Sequence, residues 1–178
     1  GGRWGGTASG GLMRLRQRTV RTFDTETALA VRHVKSVAEA GPGRILLGTF
    51  GGGVARLDLT GPAAELSVAG SGRGLVQALL VDRQGRQWTG FQNAGVSVTE
   101  NGVERLIPPA LVGGHQVQAL FEDRAGNLWI GGQESVVRHA DGKFERVPGM
   151  AAAEGFAQQP VDGGLWAVNR RGLFRLEK

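Results

Sequence analysis

The chain has 178 residues, one domain's worth, with 31 glycines, no cysteine and a formal net charge of +5. The missing cysteines exclude a disulfide framework and a thiolate metal site, and no stretch nears the roughly eighteen consecutive apolar residues of a membrane helix. The basic surplus would attract polyanions, yet no basic run exceeds Arg170-Arg171 and aromatics are not interleaved with basic residues, so a nucleic-acid partner is not expected.

In chain order, one phrase recurs about every forty residues. Trp4-Gly5-Gly6-Thr7 is a truncated first copy, and Gly43-Arg44-Ile45-Leu46-Leu47-Gly48-Thr49 is the second, with Leu46 in the Trp place. Asp82-Arg83-Gln84-Gly85-Arg86-Gln87-Trp88-Thr89-Gly90 follows. The fullest copy is Asp123-Arg124-Ala125-Gly126-Asn127-Leu128-Trp129-Ile130-Gly131-Gly132, and Gly163-Gly164-Leu165-Trp166 is truncated again. Anchored on positions 4, 46, 88, 129 and 166, the spacings are 42, 42, 41 and 37. Upstream, Val34–Val37, Val76–Leu79 and Val117–Leu120 then fall into register; downstream, so do Gly11–Leu15, Gly53–Leu57, Gly95–Val98, Ser135–Arg138 and Gly172–Leu176. Such a period means one supersecondary unit stacked several times.

Each copy consists of short apolar runs separated by Gly, Asp and Asn, which reads as strands and turns. In the copy at 114–150 the runs are Gln116–Glu122, Leu128–Gly131, Val136–His139 and Phe144–Val147, with Asp141-Gly142 marking a tight hairpin. Four antiparallel strands in about forty residues make one propeller blade. The expected fold is therefore all-β: a propeller of four-stranded blades, with about 4.5 blades present, within a larger ring of about six to eight. The expected divisions are 1–29 (partial), 30–71, 72–113, 114–150 and 151–178 (partial), with three, four, four, four and three strands. The Trp side chains are expected to fill the space between blades, where one indole buries about 200 Å². An Asp box is rejected, because Asp82/Gly85 and Asp123/Gly126 have two intervening residues rather than one, and Asp162-Gly163-Gly164-Leu165-Trp166 leaves too little room before Trp.

At these residues the chain resembles the two-component regulator propeller repeat, roughly Val-x-x-Leu-x-x-Asp-x-x-Gly-x-Leu-Trp-Ile-Gly-Thr followed by Gly-Leu-x-Arg. Val117 to Arg138 matches almost throughout, with Gly132 for Thr and Ser135 for Gly; the second copy departs at Ala40 and Leu46, and the third at Phe91 and Val98. The resemblance implies an extracytoplasmic, periplasmic sensor module ahead of a membrane helix and a signalling output, with no direct membrane contact in this segment. Because the chain opens and closes inside repeats, its ring is expected to be completed by the remainder of the same propeller or by a second chain.

Catalytic signals are thin, and no metal-ligand cluster, nucleophile elbow or phosphate loop is read. Candidate ligand residues lie where innermost strands begin and second and third strands connect, since both ends face the central funnel. They are Arg32, His33, Gln92, Asn93, His115, Gln116, Gln133 and Glu134, whose amides, imidazoles and charges suit a saccharide or small polar metabolite. Thr49, Phe50, Asn169 and Arg170 occupy the same connectors, and His139 is read as a packing residue. Arg14, Arg56, Arg138 and Arg175 form one column and Asp82 and Asp123 another; only the 114–150 copy holds both partners of an ion pair, with Glu39 a substitute beside Arg56. The expected function is a non-catalytic, cofactor-free ligand-sensing propeller. The alternatives are a propeller lyase similar to streptogramin-inactivating enzymes, which would need a divalent ion on His115 and Glu134, and a protein–protein scaffold.

Overall fold

A computed structural model describes residues 3–7, 11–15, 33–61, 65–68 and 74–176. The described residues form almost nothing but antiparallel strands and their turns. β1 (Arg3–Thr7) and β2 (Gly11–Leu15) form a hairpin, and the remaining third strand expected of that copy lies outside the described residues.

Three four-stranded sheets follow in strict sequence order. β3 (Val34–Glu39), β4 (Arg44–Thr49), β5 (Val54–Asp58) and β6 (Glu65–Val68) make the first, and β7 (Val76–Val81), β8 (Gln87–Phe91), β9 (Val96–Glu100) and β10 (Val103–Ile107) the second. The third contains β11 (Val117–Glu122), β12 (Leu128–Gly132), β13 (Val136–Ala140) and β14 (Lys143–Arg146); a three-stranded sheet of β15 (Gly155–Gln158), β16 (Leu165–Asn169) and β17 (Gly172–Leu176) comes after it. We call these blades A, B, C and D. First strands pack on one another in order, β3 on β7, β7 on β11 and β11 on β15, which is how propeller blades meet around an axis.

Local chemistry explains the strand ends. Asn101-Gly102 and Asp141-Gly142 turn the β9–β10 and β13–β14 hairpins with positive φ at both residues, 50° and 79° in the first and 50° and 76° in the second. Asn, Asp and Gly tolerate that region best, so the two-residue loop and its register are fixed together. Each of the first three blades also carries a bulge in its innermost strand, between Val34 and Ser36, Val76 and Ala78, and Val117 and Ala119. The repeat pattern concealed this extra residue.

The core lies between blades. Trp88 of B is 1% exposed and packs with Leu128, Ile130 and Val137 of C; Trp129 of C packs on the cluster containing Met150, Ala153 and Ala167. The glycine two residues after each Trp position permits this approach. A Cβ on Gly48 would stand 2.5 Å from Val76 Cγ1, and one on Gly90 would stand 2.7 Å from Val117 Cγ1. At Gly131 the obstructing atom is the Ala153 carbonyl oxygen. The same residue type in three blades thus lets the next blade's first strand, or the segment leading to it, press on the sheet.

The Arg and Asp columns pair otherwise than expected. Asp82 Oδ2 accepts the Trp88 indole N–H at 2.8 Å and the Arg86 Nε–H at 2.7 Å. Asp123 accepts Trp129 Nε1 at 2.9 Å and Asn127 Nδ2 at 2.8 Å. Arg138 reaches Asn127 Oδ1 at 3.2 Å rather than Asp123, because the indole and the amide occupy that carboxylate. The direct pair is in blade D, where Arg175 Nη2 donates to Asp162 Oδ2 at 2.9 Å. No Glu39–Arg56 pair forms among the described residues.

Candidate functional site

With the strands of each blade lettered a to d from the innermost outward, antiparallel hydrogen bonding in blades A, B and C continues past the named strands and joins the start of the first strand to the b–c connector. Phe50 N–H donates to His33 O at 2.9 Å in blade A, Gln92 N–H to Leu75 O at 2.9 Å in B, and Gln133 N–H to Gln116 O at 2.9 Å in C. Three blades therefore present the two segments side by side on one rim. His33, Asn93, His115, Gln133 and Glu134 are exposed there, with Gln92 and Gln116 half-buried. Arg32 lies outside the described residues.

Within a blade the rim residues touch. Gln77 Nε2 donates to Gln92 Oε1 at 3.3 Å. Glu134 folds its side chain against Gly114, and its N–H donates to Gly113 O at 3.0 Å, which sets the carboxylate beside the segment carrying His115. In blade A the His33 and Phe50 rings lie 6.4 Å apart edge to face, and Lys35 Nζ sits 6.0 Å from the Phe50 ring.

Lys35 and Gln77, with Gln118 of blade C, are rim positions that sequence reasoning missed. They are the residues at the bulges, and a bulge re-aims a side chain; only an aligned departure from strict alternation could have signalled it. Thr49 and Asn169 instead serve their own turns. The Thr49 hydroxyl donates to Gly53 O at 2.7 Å and accepts Gly52 N–H at 3.1 Å, while Asn169 holds Ala152 O at 3.0 Å and accepts Arg171 N–H at 2.8 Å. Arg170 pairs with Glu154 at 3.2 Å.

His139 is an interior packing residue. Its ring lies 4.3 Å from that of Phe144 and 5.5 Å from that of Trp88. Burial first, and then the charges of Arg86 and Arg105, hold its pKa below the ordinary histidine value, against the opposing pull of Asp82. Among the described residues no three His, Asp or Glu side chains cluster as metal ligands would.

The opposite edge, where the a–b turns and c–d hairpins lie, carries two inter-blade clefts. One, of about 680 Å³, separates blades A and B and is lined by Leu46, Arg56, Gln87, Thr99 and Glu104 among others. The other, of about 980 Å³, separates C and D around Trp129, Arg138 and Arg175. None of the seven described rim candidates lines either cleft.

Four-stranded sheets stacked through their innermost strands, with a polar rim at one end, define a β-propeller module. The sequence profile of the two-component regulator propeller family matches residues 111–134, the stretch leading from within the B–C connection to the rim of blade C. Nothing among curated proteins matches the sequence. Among solved structures, the chain is similar to the extracellular domain of the hybrid two-component system BT3049 from B. thetaiotaomicron. The TM-score is 0.67 at 19% identity, covering 93% of this chain and 23% of that one. The extracellular domain of the one-component system BT4673 from the same organism gives 0.70 at 16% identity, covering 92% and 22%. A catalytically inactive virginiamycin B lyase from Staphylococcus aureus with quinupristin gives 0.63 at 14% identity, covering 82% and 53%. At these identities the likeness shows the fold. The chain spans less than a quarter of the two sensor domains it matches.

Proposed function

We propose that this chain is a non-catalytic sensing segment of an extracytoplasmic, periplasmic signalling propeller, which binds a small polar ligand such as a saccharide at the funnel rim. The observation that carries this reading is the repeated alignment of first-strand start and b–c connector in three successive blades. That arrangement gathers His33, Gln92, Asn93, His115, Gln116, Gln133 and Glu134 on one edge. Arg32, next to His33 in sequence, belongs to the same proposed set. Amide, imidazole and carboxylate groups offer donors and acceptors without a buried charge to force one ligand type. The remainder of the propeller, or a second chain, would complete the funnel.

Rim ligands bind between blades, so their contact free energy differs between splayed and closed blade arrangements, and that difference is what a signalling domain could read. The test is calorimetric titration of the chain with mono- and disaccharides, repeated on His115→Ala and Gln133→Ala. Binding weakened about tenfold or more by both, with unchanged melting, supports the rim. Saccharide binding indifferent to both substitutions sinks it.

A further inference from the structure

The cleft between blades A and B exists because both of its walls depart from the repeat at the same place. In blade C, the flank facing B carries Leu128, His139 and Phe144 on neighbouring strands, in register across the sheet, and Trp88 of B packs into it. The equivalent flank of B, facing A, carries Gln87, Thr99 and Glu104 in the same register. Blade A holds Ile45, Leu57 and Leu66 at those positions, and blade D holds Leu165 and Leu176. Among blades A to D a polar row therefore occurs in B alone. Gln87 is 8% exposed, and one pair further along, Thr89 and Ser97 are each 1% exposed, with Ser97 Oγ lacking any hydrogen-bond partner.

The facing wall is reduced in the complementary sense. Leu46 replaces the Trp that fills the junctions after it, and Ala40 replaces the Asp that would hold an indole. Gly41 replaces the Arg that, as Arg83 and Arg124, crosses to carbonyls of the next blade. Arg56, the cross-strand neighbour of Leu46, is exposed and forms no ion pair among the described residues, whereas Arg175 in the same column pairs with Asp162. The space left is about 680 Å³.

We propose that this cleft is a second ligand site, separate from the rim, that takes a small zwitterion with a free ammonium and a free carboxylate, the size of an amino acid. The wall of blade B is rich in acceptors. The Gln87 amide nitrogen donates to Thr89 Oγ1 at 3.3 Å, leaving its oxygen; the Glu104 carboxylate only accepts, and the Thr99 hydroxyl can accept. Three acceptors on adjacent strands suit the three N–H donors of an ammonium. Arg56 on the other wall supplies the planar fork that fits a carboxylate, and the half-buried Val81 and Ala40 leave apolar surface for a side chain over the buried Leu46.

The test is calorimetric titration of the 178-residue chain with each of the standard L-amino acids, their N-acetyl and amide derivatives, and neutral monosaccharides. At least one free amino acid should bind. Blocking either terminus, or substituting Arg56→Gln or Glu104→Gln, should weaken it about tenfold or more, the scale of one lost charge-assisted contact. Leu46→Trp with Gln87→Leu rebuilds the apolar contact of the next junction, and should abolish binding while leaving the melting temperature unchanged or raised. His115→Ala should leave binding intact, which separates this site from the rim. The proposal is overturned if no amino acid binds, or if binding survives the rebuilt junction. Monosaccharide binding that the rebuilt junction abolishes, or a loss of amino-acid binding only in His115→Ala, overturns it as well.

Discussion

Asp82 and Trp88, six residues apart, are joined by a 2.8 Å hydrogen bond from the indole N–H to a carboxylate that is 7% exposed, and Asp123 and Trp129 repeat the bond at 2.9 Å. The pair ties the a–b turn to the residue that fills the junction with the next blade. The other Asp82 oxygen accepts the Gln84 and Arg86 backbone N–H groups at 3.0 and 2.9 Å, so one side chain shapes the turn and orients the indole together.

Replacing Asp82 with Ala strands the indole and the Arg86 guanidinium without their acceptor in a largely buried setting. We expect a loss of about 2–3 kcal/mol in stability, with Asp82→Asn losing less because the amide oxygen still accepts. Urea unfolding followed by Trp fluorescence measures both, and an Asp82→Ala midpoint equal to that of the parent would refute the role.

Acid should unfold the protein through the same carboxylates. Burial disfavours the charged form of Asp82 and Asp123, but hydrogen bonds from Trp88 and Arg86, or from Asn127 and Trp129, outweigh it and hold both pKa values below the ordinary 3.8. A folded-state pKa below the unfolded one stabilises above the unfolded value, and that contribution disappears as pH falls through the folded value. Stability should therefore drop below about pH 4, less steeply in the Asp82→Asn, Asp123→Asn double variant. Circular dichroism across pH 2–5 records the slope.

His139 works in the same direction in a higher window. Its lowered pKa means that the fold prefers the neutral ring, so stability is full above the unfolded pKa, near 6.5, and declines as pH falls through the folded one. His139→Leu, the residue held by this column at Leu57 and Leu176, should remove that dependence. Melting temperatures of parent and variant between pH 5 and 8 should diverge toward the acid end; parallel curves would exclude His139 as the titrating group.

Gly90→Ala places a methyl against Val117, whose Cγ1 stands 2.7 Å from the position of the new Cβ. Blades B and C must separate locally or Val117 must leave its rotamer, costing about 1–3 kcal/mol. Denaturant midpoints decide this, and a Gly90→Ala, Val117→Ala double variant should recover part of the loss.

Arg83 bridges blades through polar contacts alone, donating to Asp123 O at 2.8 Å and Arg124 O at 2.7 Å. Its side chain is about half exposed, so Arg83→Ala should cost only about 1 kcal/mol overall. The effect should concentrate in hydrogen exchange, as faster exchange in the turn at 123–127 with little change in blade A.

The strands, turns and blade order were legible because each blade spells them locally: Gly and Asp punctuate the runs, and Asp141-Gly142 names its hairpin. The rim was legible in part, since strand direction places both ends of each candidate pair on one edge. Sequence gave no view of Arg175 meeting Asp162, of Asn127 standing between Arg138 and Asp123, or of the bulges at Lys35, Gln77 and Gln118. These depend on side-chain reach and register that a one-dimensional column does not encode. The cleft between A and B showed in the sequence only through one wall, as the departures at Ala40 and Leu46; its polar partner Gln87 stands some forty positions further on and carried no signal. Local chemistry along the chain determined what each blade is. Only the stacking of one blade's face on the next decided that a small residue on one wall and a polar row on the other meet in one space, because burial belongs to the pair of surfaces and not to either segment.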